Sequence, residues 1–450
     1  MGSKQTHMEK VKKALKKAAT SLLLISLVAL GARLGFAVNQ VHKIPREVIG
    51  MVPFENETGN IAYAVATGNG FSSPFRRETG PTAWLTPVYP LIVAGVFRVF
   101  GIFTAKSFFA VVFLNALFSS AACIPIFFAG KRIAGLGAAS GAAWLWALFP
   151  NAVMMPFEWV WDTCLATLLG ALLLWATVEL PKSRQRATDW CSYGLLWGFT
   201  LMTNPALGSL LPFLLGWAAY RARRPLKLST VKPALAMGIA ILFCVPWTVR
   251  NYVVFHKLVP LRSNFPLELY IGNNNNYATR QFVWPPKITK EREILRYFRI
   301  GETAFMEEEE RKALEFIRSH PGIAVELTGE RFVAFWTGIA EPLQVLKTTD
   351  SLLIRGLMLC NTLAALGALL GIAVLIVKRS PYTIPVAVYP VVFPWLYYVT
   401  HPNLRYRHPI DPVVLLLAAV AGAAAWEMLT PRRNFEAPVA VGQGSEILLS

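Results

Sequence analysis

Two glutamates, Glu55 and Glu57, open a polar stretch that follows the first long apolar segment of the chain. The stretch, residues 54–90, is rich in Gly, Pro, Asn and Thr, which predicts a short helix followed by tight turns. A positioned carboxylate can take a proton from a hydroxyl group and make its oxygen a better nucleophile. Long ordered loops are usually functional, so the pattern favours a catalytic loop. A structured surface loop with solvated glutamates is the alternative.

A second pair of carboxylates, Glu158 and Asp162, lies four residues apart, so both could share one face of a helix. Asp162 falls just inside an apolar helix, where an ionisable residue is costly and usually faces a cavity. A carboxylate at a helix N-terminus also complements the helix dipole, which is the structural alternative. We interpret Asp162 as a candidate catalytic residue and Glu158 as a structural one.

Arginines follow two of the apolar segments. Arg250 lies where the segment 233–249 ends, and Arg405 and Arg407 lie within residues 401–412. The planar guanidinium can bind phosphate through two parallel hydrogen bonds, so these residues are candidate ligands of a substrate phosphate. Snorkelling of an arginine to lipid headgroups explains any single one of them equally well.

The composition is that of a membrane protein. Of the 450 residues, 54% are hydrophobic and 16% are charged, and the mean hydropathy is +0.45. A water-soluble surface needs more charge than this, and apolar stretches of about 18 or more residues recur. Much of the net charge of +18 sits in short clusters beside apolar spans. It therefore indicates topology and attraction to anionic lipid rather than nucleic-acid binding.

The apolar segments predict an all-α polytopic membrane protein with about ten transmembrane helices. The segment 88–101 is too short to cross and is predicted to lie at the interface. With that choice, the basic clusters after the spans share the cytoplasmic side, as the positive-inside rule requires. The predicted spans are 20–38, 107–129, 134–153, 159–179, 190–203, 206–220, 233–249, 350–377, 382–399 and 409–430.

This topology predicts five regions. The predicted boundaries are a cytoplasmic N-terminus at 1–19, a transmembrane catalytic module at 20–249 that includes an outer loop at 39–106, a large outer loop with short amphipathic helices at 250–349, C-terminal transmembrane helices at 350–430 and a cytoplasmic tail at 431–450. The basic N-terminus and the long apolar run after it predict an uncleaved signal-anchor helix.

No cysteine or histidine spacing indicates a metal site. The five cysteines lie in or beside apolar segments, which excludes a disulfide framework. The acidic run Glu307–Glu310 is interpreted as a solvated helix face.

Five segments resemble bacterial membrane glycosyltransferases of the GT-C superfamily, in particular the dolichyl-phosphate-mannose–protein mannosyltransferase-like and lipid A aminoarabinose transferase-like families. The segments are ETGNIAYAVATGNGFSSPF, TGPTAWLTPVYPLIVAGVF, PWTVRNY, PLRSNFPLELYIGNN and RYRHPIDP. The resemblance covers the whole chain in order. It implies a GT-C fold with juxtamembrane helices in the first outer loop, a catalytic carboxylate there, and a polyprenyl-phosphate sugar donor.

When the pattern of these families is carried onto this sequence, their first-loop carboxylate corresponds to Glu57. Glu55 competes with it, because this segment reads Glu-Asn-Glu where many relatives have an Asp-Glu pair. The acidic residue of the second loop corresponds to Asp162. The resemblance further implies that Arg250 and Arg405 bind the donor phosphate and that Asn273 lines the acceptor side. Metal use varies in the superfamily, so a divalent metal is left open.

The sequence therefore predicts a glycosyltransferase that works at the outer, periplasmic face of a bacterial cytoplasmic membrane. It would move a sugar from a polyprenyl-phosphate donor to a lipid, glycan or protein hydroxyl, with membrane lipids around it and no nucleic-acid partner. A transporter or flippase of lipid-linked saccharide is the alternative, and it predicts charged residues deep within several spans. A non-catalytic scaffold is a third hypothesis, and it predicts that loss of Glu57 is harmless.

Overall fold

The chain is helical throughout the part that the structure describes. The computed structural model describes residues 20–45, 48–75, 77–158, 160–184, 186–222, 231–275, 291–339, 342–349 and 351–430. Within these ranges the extended pairing is confined to an isolated bridge between Ser72 and Pro81, which confirms the predicted all-α class. The predicted cytoplasmic N-terminus and C-terminal tail lie outside the described residues.

The α-helices are numbered in chain order. They are α1 Leu22–Val41, α2 Glu57–Ala66, α3 Val88–Phe100, α4 Ala105–Ala121, α5 Cys123–Leu148, α6 Pro150–Glu158, α7 Thr163–Glu179, α8 Ala187–Leu201, α9 Leu211–Arg221, α10 Val231–Phe255, α11 Phe265–Gly272, α12 Glu291–Ile300, α13 Glu302–Ser319, α14 Pro321–Thr337, α15 Pro342–Thr348, α16 Leu352–Val377, α17 Thr383–Val392, α18 Trp395–Val399, α19 Leu404–Arg407 and α20 Asp411–Leu429.

Six apolar helical stretches of the described chain are long enough to cross a membrane. They coincide with seven of the predicted spans, since the stretch 105–148 contains two of them. The other three predicted spans correspond to shorter helices, namely α8, α9 with the 3-10 turn Pro205–Leu210 before it, and α17 with α18. The multi-pass membrane architecture predicted from hydropathy is thus confirmed.

The stretch 105–148 folds back on itself at Gly135, whose backbone has φ 84° and ψ −177°. The side chain of Trp146 donates to the carbonyl of Ser119 at 2.7 Å. Nearer the turn, the thiol of Cys123 approaches the carbonyl of Ala143 at 3.9 Å. These pairings converge on Gly135, so the stretch is an antiparallel hairpin, and glycine at the turn avoids the strain of a positive φ.

The helix ends that carry the predicted cytoplasmic charges lie at one side of the bundle. Arg132, near the hairpin turn, forms an ion pair with Glu179 at the end of α7 at 2.6 Å. Lys378, after α16, pairs with Glu427 near the end of α20 at 3.1 Å. The indole of Trp217 in α9 donates to a carbonyl next to α17. Charges that the positive-inside rule grouped together are therefore neighbours in the fold.

Helix α3 is the segment that the sequence assigns to the membrane interface. It has 13 residues, a length of about 20 Å against a hydrocarbon core of about 30 Å. The hydroxyl of Tyr89 donates to Asn115 in α4 at 2.9 Å, and Arg98 donates to the carbonyl of Val65 in α2 at 3.2 Å. Helix α3 thereby joins the first loop to the bundle.

The large segment after α10 forms short helices, as the sequence predicts, and these pack on the first loop. One apolar cluster contains Phe75 and Trp84 from the first loop, Tyr297 from α12 and Phe305 from α13. The acidic run Glu307–Glu310 is not uniformly solvated. Glu309 is buried and pairs with Arg296 and Lys312, each at 2.8 Å, because α12 packs over that part of α13.

An arginine that the sequence analysis did not single out, Arg33, is buried in the middle of α1. Its guanidinium donates to Ser119 at 2.8 Å, to Ala147 at 3.0 Å and to Trp146 at 3.2 Å. Carbonyl and hydroxyl oxygens can satisfy a buried guanidinium where water is absent. Arg33 therefore ties the first helix to the hairpin.

The arrangement predicts which introduced cysteines a membrane-impermeant maleimide reaches. In a variant without the five native cysteines, we expect cysteines replacing the exposed Glu78 and Arg311 to react in intact spheroplasts. A cysteine replacing Lys378 should react only after the membrane is opened. Labelling of positions 78 and 378 from the same side would contradict the topology.

Candidate active site

The first loop places Glu57 at the N-terminus of α2. The side chain of Asn56 caps this helix by accepting from the backbone N–H of Gly59 at 3.0 Å. Gly59 carries no side chain because a Cβ atom there would overlap the carbonyl of Phe54. Phe54 is buried and meets Phe97 of α3 edge to face at 4.8 Å. This packing fixes the half-buried carboxylate of Glu57, and the helix dipole favours its charge.

The rest of the first loop is a turn that Arg250 holds closed. The backbone N–H of Thr82 donates to the carbonyl of Phe71 at 3.1 Å. The guanidinium of Arg250 donates to both of these residues' carbonyls, each at 2.7 Å, and lies 5.0 Å from the ring of Trp247. Arg250 is thus engaged by the loop backbone rather than grouped with Glu57.

Asp162 stands at the N-cap position of α7. Its carboxylate accepts from the side-chain amide of Asn204 at 2.9 Å, so the turn between α8 and α9 holds it. Asp162 lies at a helix N-terminus and is half-buried, and its catalytic role stays a prediction. Glu158 lies at the end of α6, and burial raises the pKa of its carboxyl.

Arg405, in α19, brings the two carboxylates into one site. Its guanidinium carbon lies 4.0 Å from the centre of the Trp161 ring and 5.0 Å from that of Tyr406. The side chain is only 8% exposed, and its charge acts on both Glu57 and Asp162. Stacking on aromatic faces holds the guanidinium in a fixed orientation.

A third carboxylate and a second arginine, Glu268 and Arg262, belong to the same site and were missed by the sequence analysis. Both act electrostatically on Glu57. Arg262 donates to Asn264 at 2.5 Å, and Asn264 donates to Glu268 at 2.9 Å. His401 lies 3.5 Å from the other oxygen of Glu268. The signal that could have found them is the segment PLRSNFPLELY, where an arginine precedes a proline-initiated helix and a glutamate lies in its first turn.

Burial shifts the protonation of the two predicted catalytic carboxyls in the same direction. The pKa of Glu57 is raised because burial disfavours its charge, an effect that outweighs the attraction of Arg405 and Arg262. The pKa of Asp162 is raised for the same reason, against the attraction of Arg262 and the hydrogen bond from Asn204. A carboxylate with a raised pKa is the stronger base, which suits proton abstraction near neutral pH.

The remaining sequence candidates lie around this group rather than in it. Glu55 is exposed to solvent. Arg407 is buried and pairs with Asp411 at 2.7 Å, so it anchors α19 to α20. Asn273 is buried and donates to the carbonyls of Leu269 and Val399 at 2.8 and 2.9 Å, which fastens the end of α11 to α18.

The donor set was compared with what a divalent metal needs. Among the described residues, no three His, Cys, Asp or Glu side chains come together as ligands of one ion. The carboxylates of the site are instead interleaved with the guanidiniums of Arg262 and Arg405. This set of side chains does not fit a divalent metal centre.

A buried carboxylate, Glu302, holds the wall of the site together. It accepts from the backbone N–H of Ala83 at 2.7 Å, from Ser263 at 2.6 Å, and from the hydroxyls of Thr82 and Tyr297. The donors come from the first loop, the segment before α11 and helix α12. One carboxylate thus joins three segments that border the site.

Comparisons with known proteins agree with this fold. Residues 84–249, less than half of the chain, match the family model described as dolichyl-phosphate-mannose-protein mannosyltransferase. The match includes Asp162 and Asn204 but not Glu57 or Arg405. No curated protein matches the sequence.

Solved structures that match include those of the oligosaccharyltransferase of Archaeoglobus fulgidus, a member of the GT-C superfamily. The crystal structure of its apo form is 13% identical, with a TM-score of 0.56 over 91% of this chain and 50% of that chain. The complex of the same enzyme, AglB, with an inhibitory peptide and a dolichol-phosphate is 13% identical, with a TM-score of 0.54 over 97% of this chain and 53% of that chain. This chain spans about half the length of those structures. The predicted GT-C fold is confirmed.

Glu302 gives a prediction on stability. Glu302→Ala leaves several buried donors without an acceptor, at about 1–3 kcal/mol for each, so we expect a clearly lower melting temperature of the purified protein. Glu302→Gln keeps one acceptor oxygen and should fall between. Glu310→Ala, an exposed glutamate of the same helix, is the matched control and should melt like the wild type. Equal melting of the two alanine variants would contradict the role of Glu302.

Proposed function

We propose that this chain, whose fold is that of the GT-C glycosyltransferases, transfers a sugar from a polyprenyl-phosphate donor to a hydroxyl group of a lipid, glycan or protein acceptor. The observation that carries the proposal is the meeting of Glu57, Asp162 and Arg405. They come from three distant parts of the sequence and share one electrostatic environment. A carboxylate base beside a phosphate-binding cation is what this transfer requires.

Glu57 is the proposed general base. Its half-buried position at a helix N-terminus and its raised pKa suit a group that accepts a proton. Glu55 lies two residues away, precedes the helix and is exposed to solvent. The structure therefore favours Glu57 over Glu55 as base.

Arg405 and Arg262 are the proposed ligands of the donor phosphate. Arg405 is held on the face of Trp161, and 30% of the Arg262 side chain is accessible. Two guanidiniums can bind the non-bridging oxygens of a phosphodiester and stabilise the charge that grows as the sugar departs. Arg250 and Arg407 are each engaged elsewhere, by loop carbonyls and by Asp411.

The proposed reaction is a single displacement with inversion at the anomeric carbon. The acceptor oxygen attacks this carbon as its proton passes to Glu57, forming the new glycosidic bond. The bond between the anomeric carbon and the phosphate oxygen breaks, and its electron pair stays on the polyprenyl phosphate beside Arg405. Asp162, held by Asn204, would accept hydrogen bonds from sugar hydroxyls and so orient the donor.

The comparisons support the substrate classes only in outline. The family model is named for an enzyme that uses dolichyl-phosphate-mannose and a protein acceptor, and one matching structure contains a dolichol-phosphate and a peptide. By analogy, the donor would be a lipid-linked sugar. The site would lie on the outer face of a bacterial cytoplasmic membrane, since the basic helix ends gather at the opposite side of the bundle.

Buried charges within the bundle do not favour the transporter alternative. Arg33 is saturated by carbonyl and hydroxyl oxygens, and Arg407 is paired with Asp411. All three side chains are almost fully buried. They are packed as structural ties rather than as a hydrated path for a saccharide.

The base assignment predicts the outcome of two isosteric substitutions. With a panel of radiolabelled polyprenyl-phosphate sugars, Glu57→Gln should lower kcat by at least about 100-fold, because the amide cannot accept the proton. Glu55→Gln is the matched control and should stay within about twofold of wild type. Loss of turnover in Glu55→Gln alone would contradict the assignment, and transport of intact saccharide by vesicles would contradict the proposed function.

The direction of the pKa shift predicts the pH profile. Glu57 must be ionised to act, and its pKa lies above the ordinary glutamate value of 4.5. Activity is therefore retained above this raised pKa and lost as the pH falls through it. We expect kcat/KM to show an acidic limb with a midpoint above pH 4.5, measured with a non-titrating acceptor. A midpoint at or below 4.5 would contradict a buried carboxyl as base.

A further inference from the structure

Two polar side chains, those of Tyr406 and His401, connect the cation of Arg405 to the anion of Glu268. The guanidinium of Arg405 lies 3.3 Å from the hydroxyl of Tyr406. That hydroxyl lies 3.3 Å from Nε2 of His401, and Nδ1 of His401 lies 3.5 Å from a carboxylate oxygen of Glu268. The chain of contacts runs through residues of α19, the turn before it, and α11.

The donor and acceptor roles along this chain are fixed by its two ends. A guanidinium can only donate, so the oxygen of Tyr406 accepts from Arg405 and its proton points to His401. His401 then presents an unprotonated Nε2, which leaves the proton on Nδ1, facing Glu268. The carboxylate can only accept. The two hydrogen bonds, from Arg405 to Tyr406 and from Tyr406 to His401, therefore both point away from the cation, an order in which one bond polarises the next. The contact of His401 with Glu268 at 3.5 Å is electrostatic.

The groups around His401 favour the neutral form of its ring. The charged or titratable groups that face it are Glu268, Arg405, Arg331 and Tyr406. Burial lowers the pKa of His401, and the two arginines act in the same direction against the attraction of Glu268. The ring is therefore neutral near pH 7, which is the form that the order of donors requires.

Neighbouring packing holds both ends of the relay. The ring of Tyr406 stacks on Tyr397 at 4.7 Å. Gly272, at the end of α11, lies so close to Thr400 that a Cβ atom would overlap its carbonyl oxygen. Arg331 donates to the carbonyls of Tyr398 and Val399 at 3.2 and 3.1 Å. These contacts fix α11 against the turn that carries His401.

We propose that the side chains of Tyr406, His401 and Glu268 act as a polar relay, made of two hydrogen bonds and one electrostatic contact, that holds the neighbouring guanidinium in place for the donor phosphate. They are positioning residues, since each acts through Arg405 and none of them takes part in the transfer itself. The proposal rests on the function proposed above. It extends that function by assigning phosphate affinity to residues remote from the reacting carbon.

The experiment measures binding without chemistry. The probe is a polyprenyl methyl phosphodiester, which carries the single charge of the donor phosphate and has no sugar to transfer. Binding to the full-length protein in detergent is followed by the fluorescence of tryptophan, since Trp161 lies under Arg405. We expect Tyr406→Phe, which keeps the ring but loses the hydroxyl, to raise Kd about 5-fold, the loss of one hydrogen bond. In turnover assays the same variant should raise the donor KM.

Two comparisons separate positioning from general damage to the fold. His401→Ala should raise Kd about 5-fold, whereas His401→Gln, whose amide both accepts and donates, should restore it to within about twofold. In an Arg405→Lys background, Tyr406→Phe should have no further effect, because the relay acts only through that guanidinium. Tyr398→Phe is the matched control, since its hydroxyl accepts from Trp336 at 2.7 Å outside the relay, and it should bind the probe like the wild type.

The outcomes distinguish the relay from the proposed function. An unchanged Kd in Tyr406→Phe, or equal effects of the two His401 variants, would overturn the relay even if the wild type transfers sugar. A relay-dependent Kd without turnover of any donor would support the relay and overturn the glycosyltransferase. Failure of the wild type to bind the phosphodiester would overturn the relay.

Discussion

The site is organised around one cation, the guanidinium of Arg405, whose charge acts on carboxylates from other segments. Arg405 lies on the face of Trp161 with little access to water, where an uncompensated charge is costly. Its charge acts on Glu57 of the first loop and on Asp162 at the start of α7. Without this cation the carboxylates would repel one another across a poorly hydrated space. The relative placement of these segments is therefore linked to a single side chain.

The scaffold explains how that side chain is kept in position. The short helix α19 carries Arg405 and is tied to the bundle by the buried pair of Arg407 and Asp411. The first loop is closed by Arg250 and joined to α12 and the segment before α11 by Glu302. Each tie is a buried or half-buried polar group with several partners, so the walls of the site have few alternative arrangements. Precise placement of a base and a phosphate ligand is what proximity and electrostatic catalysis require.

Much of the fold could be predicted from the sequence, because apolar length and the distribution of basic residues dictate which segments cross a membrane. Asp162 was found because an ionisable residue just inside an apolar helix is costly and usually faces a cavity. Glu57 and Arg405 were assigned through the resemblance to the GT-C families. Arg250 and Arg405 could not be told apart, since both follow an apolar segment and their different partners appear only in the folded chain. Arg262 and Glu268 were missed because isolated charges in a predicted loop suggest exposure to solvent. Only the folded chain shows that this segment packs over the first outer loop. The burial of Glu309 likewise follows from α12 lying over it, a contact that the acidic run itself does not reveal.

The central claim is that Glu57 and Arg405 act on the same donor molecule. It is tested most directly by a cryo-electron microscopy structure of the full chain with a non-transferable phosphonate analogue of a polyprenyl-phosphate sugar. The account predicts the phosphonate oxygens within about 3 Å of the guanidinium of Arg405, a hydrogen-bonding distance, with the anomeric carbon on the side of Glu57. A phosphonate held by Arg250 instead, or an anomeric carbon remote from Glu57, would contradict it.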